Sequence, residues 1–92
     1  MDILTQMAEQ IMKRQEKILG PVALKQAMKV QGLRIDLQTY QISLDGDKKE
    51  ILGQLVSQYE KILGKMAIDI SKEAVKGIVS QVPPDQVPQI LL

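Results

Sequence analysis

Apolar residues fall three and four positions apart over the first stretch of the chain: Ile3, Leu4, Met7, Ala8, Ile11 and Met12, then Ile18 and Leu19. That spacing draws one stripe along an α-helix, and Asp2 stands where an N-cap belongs. Gly20-Pro21 ends the helix, because proline has no N–H to offer the carbonyl of Lys17. The same proline suits the first turn of a new helix. Val22, Ala23, Ala27, Met28 and Val30 carry that helix to Gln31, and Gly32 suits its C-terminal cap.

A second apolar run starts behind Asp47-Lys48-Lys49-Glu50, which fits a capping box with Asp as the cap. Ile51, Leu52, Leu55, Val56, Tyr59, Ile62, Leu63, Met66, Ala67, Ile70, Ala74, Val75 and Ile78 follow without a slip of helical phase. Gly64 costs only about 1 kcal/mol inside a helix. The pattern therefore predicts a long helix over 48–80, bent at Gly64 and stopped by Pro83-Pro84. The helices expected are about 3–19, 21–31, 48–64 and 65–80.

Between the two runs, 33–46 reads two ways. Leu33, Ile35, Leu37, Tyr40, Ile42 and Leu44 alternate as strands do, while Leu33, Leu37, Tyr40 and Leu44 also keep helical spacing. The strand reading is preferred: a short strand at 38–44 running into a turn, paired either with the same strand of another subunit or with Leu33–Leu37. The proline-rich tail, 82–92, ends Ile90-Leu91-Leu92 and is expected to dock its apolar residues in a groove rather than float.

The two runs are related. Glu16-Lys17-Ile18-Leu19-Gly20 recurs as Glu60-Lys61-Ile62-Leu63-Gly64, 44 residues later, and the flanking apolar phase matches at Ile11/Leu55, Met12/Val56, Val22/Met66 and Ala23/Ala67. Two copies of one helical unit follow from that match. The fold expected is a single, mostly all-α domain over 1–92: a kinked antiparallel helical hairpin built from two repeats of about 44 residues, completed as a bundle by dimerisation. Ile18-Leu19-Gly20-Pro21-Val22-Ala23 is also similar to the Leu-x-Gly-Pro-x-Ala turn between two helices in small modules of some bacterial signalling proteins. It is one residue short before the glycine, and Lys65 breaks the likeness in the second copy. The resemblance spans only this turn, and it implies no activity.

Composition sharpens the dimer expectation. The chain has 92 residues, no Phe, no Trp and no Cys, and its aromatics are Tyr40 and Tyr59 alone. A core this small without disulfide or metal is commonly completed by association. Net charge is +1, with six basic and five acidic side chains in 1–46 and six of each in 47–92. Such a balanced field gives no long-range pull on nucleic acid or anionic lipid. No apolar stretch approaches the ~20 residues of a membrane span, and Met1-Asp2-Ile3-Leu4 lacks the form of a secretory signal. A soluble, cytoplasmic protein is expected.

Catalytic equipment is sparse. The absence of His and Cys removes the commonest general base and the thiolate nucleophile. Glu9 and Glu16 sit seven apart on a polar helix face, as solvated residues do. Asp45-Gly46-Asp47 with Glu50 lacks calcium-loop spacing and reads as a turn and helix cap. No catalytic, cofactor-binding or metal-binding residue is assigned, and neither an enzyme nor a bound cofactor is expected. The leading expectation is a homo-oligomeric adaptor or regulator that binds protein, first of all itself. Its interaction residues are Met7, Ile11, Met28, Tyr40, Tyr59, Met66, Val87, Ile90, Leu91 and Leu92. The alternative is nucleic-acid binding through Lys13, Arg14, Lys17, Lys25, Lys29 and Arg34, a set with neither an aromatic platform nor helix-turn-helix spacing.

Overall fold

The computed structural model describes residues 2–92, which form four helices and one small hairpin: α1 (Ile3–Leu19), α2 (Pro21–Ala27), β1 (Leu33–Ile35), β2 (Ile42–Leu44), α3 (Lys48–Leu63) and α4 (Lys65–Val75). Three single 3-10 turns follow, at Val79–Gln81, Pro84–Gln86 and Gln89–Leu91. Both predicted caps are present. Asp2 accepts the Thr5 N–H at 3.0 Å, and Asp47 accepts the Glu50 N–H at 3.2 Å. Lys48 Nζ reaches Asp2 at 2.8 Å and ties the start of α3 to the start of α1.

The long bent helix over 48–80 does not form. Gly64 stands at φ 62°, ψ −147°, and Gly20 at φ 59°, ψ −141°, a region closed to residues with a Cβ. Each glycine N–H closes the helix before it, on Glu60 and Glu16 respectively, at 2.8 Å in both cases. Each glycine carbonyl then receives the third N–H of the next helix, from Ala67 at 3.0 Å and Ala23 at 3.1 Å. Proline is therefore dispensable for the break: the glycine conformation alone turns the chain. α2 returns against α1 and α4 against α3, so each arm is a folded helix pair, more sharply turned than a kinked rod.

The other helix ends are earlier than periodicity predicts. α2 stops at Ala27 instead of 31 because the chain tightens into turns, Lys29 N–H to Gln26 and Val30 N–H to Ala27, that swing Val30 into the core. α4 stops at Val75 instead of 80. Lys76 N–H bonds Glu73 and Ile78 N–H bonds Val75, and Gly77 follows in the turn.

The apolar stripes of α1, α3 and α4 meet in one core, where Met7, Ile11, Leu52, Leu55, Val56 and Tyr59 are fully enclosed. Two buried polar bonds cross between the arms. Gln15 Nε2 in α1 donates to the Ala67 carbonyl in α4 at 3.1 Å, and Tyr59 Oη in α3 donates to the Ala23 carbonyl in α2 at 2.9 Å. Gln15 and Tyr59 stand 44 residues apart, as do Ala23 and Ala67.

The strand question resolves within the chain. β2 pairs antiparallel with β1, setting Leu33 opposite Leu44, Arg34 opposite Ser43 and Ile35 opposite Ile42. The expected strand at 38–44 shortens to 42–44 because 36–41 is turn. The Asp36 carboxylate accepts the N–H groups of Gln38 and Thr39, and Tyr40 adopts φ 60°. Leu33, Ile42 and Leu44 face the core while Arg34 and Ser43 face outward.

The tail docks on α3 and α4. Val82, Val87 and Leu91 are buried, and Pro88 lies over Gly53, within van der Waals reach of the position a Cβ would take there. Lys49 Nζ holds the Asp85 carbonyl at 2.7 Å. Leu92 departs from the expectation: it stays exposed, past the last residue that the groove accepts.

Candidate functional site

Ten residues were expected to form an interaction surface, and the structure divides them. Met7, Ile11 and Tyr59 have no exposed surface and belong to the core, where no partner can reach them without unfolding. Val87 and Leu91 are buried by the docked tail, and Ile90 is half-buried. Met28, Tyr40, Met66 and Leu92 remain outside. Periodicity marked the stripe correctly but could not say which part of it the chain itself would cover.

The large apolar side chains left exposed fall mainly in two groups. Ile18, Val22, Ile62 and Met66 flank the two glycine junctions. They match at the 44-residue offset, Ile18 with Ile62 and Val22 with Met66. The Gln15–Ala67 and Tyr59–Ala23 bonds join the end of each arm's first helix to the start of the other arm's second, which brings both junctions to one end of the molecule. The space above Gly20 and Gly64 is open. The second group surrounds the hairpin: Met28 precedes it, and Leu37 and Tyr40 lie in its turn. Ile18, Val22, Leu37 and Ile62 were missed because their spacing continues the core stripe.

The polar groups are structural in placement. Glu9 is not the free solvated residue that its helix face predicts, since its Oε2 accepts the Ile42 N–H at 3.3 Å and closes the outer edge of β2. Burial alone raises the Asp2 pKa, yet hydrogen bonds from Lys48, the Thr5 N–H and the Thr5 hydroxyl outweigh it and hold the carboxyl well below its ordinary value. Burial, helped by the Glu16 charge, pushes the Tyr59 hydroxyl well above its ordinary pKa. Gln15 Oε1 is buried and has no hydrogen-bond partner.

Lys13, Arg14, Lys17, Lys25, Lys29 and Arg34 are all exposed, distributed over α1, α2, the following turn and β1. A groove of about 480 Å³ runs between α3 and the tail, lined by Lys49, Glu50, Gln54, Ser57, Pro88 and Ile90 among others. It is shallow and mixed in character. Among the described residues no group of carboxylates is arranged to hold a metal ion, and no helix is long and apolar enough to cross a membrane. No family model, no curated protein and no solved structure matches the chain.

Proposed function

We propose that this chain is a non-catalytic protein-interaction and assembly module, made of two copies of one helix–glycine–helix unit related by an approximate twofold. The repeat reading rests on the paired glycine conformations and on the crossed Gln15–Ala67 and Tyr59–Ala23 bonds, in which corresponding residues of the two arms perform the same act on each other. The assembly reading rests on one observation above all. The core closes without Ile18, Val22, Ile62 and Met66, yet all four stay apolar and exposed at one end of the molecule.

Scattered exposed apolar residues are ordinary; a group gathered at one end marks a surface that another protein covers. The mixed Leu, Ile, Val and Met character, without a large aromatic, suits an adaptable contact. A second copy of the chain is the first partner to consider. Sedimentation velocity of the 10.3 kDa chain beside its Ile62→Lys/Met66→Lys variant tests the reading. Association in the wild type that weakens in the variant, with thermal stability kept, supports it. A wild type that sediments as a monomer at every concentration, alone or with cell extract, refutes it.

A further inference from the structure

The two edges of the hairpin are not alike. On β2, the outward Ile42 N–H is taken by Glu9 and α1 packs alongside. On β1 the outward groups are those of Leu33 and Ile35. Gly32, Arg34 and Asp36 use the inner positions, with Asp45 N–H on Gly32 at 2.7 Å, Arg34 opposite Ser43, and Asp36 N–H on Gln41 at 2.9 Å. The Leu33 N–H is closed by Val30 at 3.2 Å. What remains on the outer side is the Ile35 N–H, the Ile35 carbonyl and the Leu33 carbonyl, none with a partner among the described residues. The Asp36 carbonyl accepts the Tyr40 N–H on the inner side. The Leu37 N–H, opposite it across a planar trans peptide, therefore points outward as well.

We infer that this open β1 edge pairs antiparallel with the β1 edge of a second copy, about a twofold axis at Ile35. The inference goes beyond the assembly reading above: it adds a second face for self-association, at the hairpin rather than at the glycine junctions where Ile18, Val22, Ile62 and Met66 lie. In that register the two Ile35 residues exchange both of their hydrogen bonds, and each Leu37 N–H meets the Leu33 carbonyl across the axis. Leu37, 58% exposed in the single chain, stands opposite the partner's Leu33 in this register. Four otherwise idle backbone donors are satisfied at once.

The charges select this register. Residues opposite each other sum to 70 in number, so Arg34 of each copy faces Asp36 of the other, twice. Moving the axis to residue 34 sets Arg34 against Arg34, and moving it to residue 36 sets Asp36 against Asp36, and like charges directly opposite are destabilising. Centring on Leu33 loses a donor to Val30. A short edge carrying charge is the usual protection against unwanted pairing. Here opposite signs two residues apart convert that protection into self-complementarity.

Charge exchange tests the pairing on the full chain, read by sedimentation or native mass spectrometry. Arg34→Asp and Asp36→Arg each make both cross-strand pairs repulsive, and each should raise the dimer dissociation constant about tenfold or more. The double exchange Arg34→Asp/Asp36→Arg restores both pairs and should recover wild-type association. An equimolar mixture of the two single variants should form the mixed dimer in preference to either homodimer. Both positions are exposed, but Asp36→Arg also loses the carboxylate that accepts the Gln38 and Thr39 N–H groups. Asp36→Asn, which keeps an acceptor there without the charge, separates turn loss from charge loss, and circular dichroism checks the fold of each variant. Association that is insensitive to these exchanges, yet lost in Ile62→Lys/Met66→Lys, overturns the strand pairing and leaves the assembly reading standing. A wild type monomeric at all concentrations overturns the pairing as well.

Discussion

Replacing Gly64 with alanine distinguishes a bent helix from a true chain reversal by the sign of the stability change. Inside a helix, alanine is favoured over glycine by about 1 kcal/mol, so a continuous helix over 48–80 predicts a more stable protein. At φ 62°, ψ −147° alanine instead incurs a strain of about 1–3 kcal/mol, since the region is essentially reserved for glycine. No atom lies within 4 Å of the position a Cβ would take at Gly64, so no steric clash with other residues confuses the reading. For a chain of this size, total stability is of order 5–14 kcal/mol, and about 2 kcal/mol lowers the melting temperature by roughly 8–16 °C. Gly20→Ala should behave alike, given its nearly identical conformation and equally open surroundings. Urea unfolding followed by circular dichroism measures both. A D-alanine introduced at 64 by chemical ligation should cost little, because the mirror image of this conformation is ordinary extended backbone. An L-alanine variant as stable as the wild type, or more so, refutes the reversal and with it the folded-arm architecture.

Three side chains with buried or capping bonds give further measurable outcomes. Tyr59→Phe removes the bond to the Ala23 carbonyl and should cost about 1 kcal/mol by urea titration. Because folding raises the Tyr59 pKa, its stabilising share is intact below the ordinary tyrosine value of about 10 and declines as pH rises beyond it. The difference between wild type and Tyr59→Phe should accordingly shrink at alkaline pH. Gln15→Met exchanges two hydrogen bonds for the removal of a buried acceptor without a partner, so its stability should stay within about 1 kcal/mol of wild type in either direction. Asp2→Ala should cost about 1 kcal/mol at neutral pH through loss of the α1 cap. Since the folded Asp2 pKa is depressed, that contribution is present above pH of about 4 and fades as acid titrates the folded carboxyl.

Periodicity identified α1 and α3 because their caps and stripes lie within one turn of each other along the chain. Asp2 and Asp47 needed only their own neighbours to act. What escaped was set at long range. Nothing in Leu63-Gly64-Lys65 distinguishes a tolerated helical glycine from a reversing one, and the bond that α4 accepts from α1, at Ala67 from Gln15, spans 52 residues. The pentapeptide shared with Gly20 was the available signal: a glycine forced out of helix by Pro21 in one copy points to the same conformation in the other. Glu9 looked solvated because its partner, the Ile42 N–H, lies 33 residues away. The hairpin was half legible. Alternation marked Ile42 and Leu44, but the Asp36 turn and the unusual φ of Tyr40 divided the run where β-propensity alone would have continued it. Of the apolar residues left exposed, Met28 and Met66 were among those the sequence marked. Which apolar positions stayed outside was decided by how four helices share one small core.

Apolar groups left outside that core and covered by a second copy of this chain would make its mass depend on concentration. Light-scattering mass measured over a wide range of protein concentration addresses it most directly. A mass that climbs from 10.3 kDa towards twice that value as concentration rises, and falls back on dilution, is the predicted result. A mass fixed at the single-chain value throughout contradicts self-assembly.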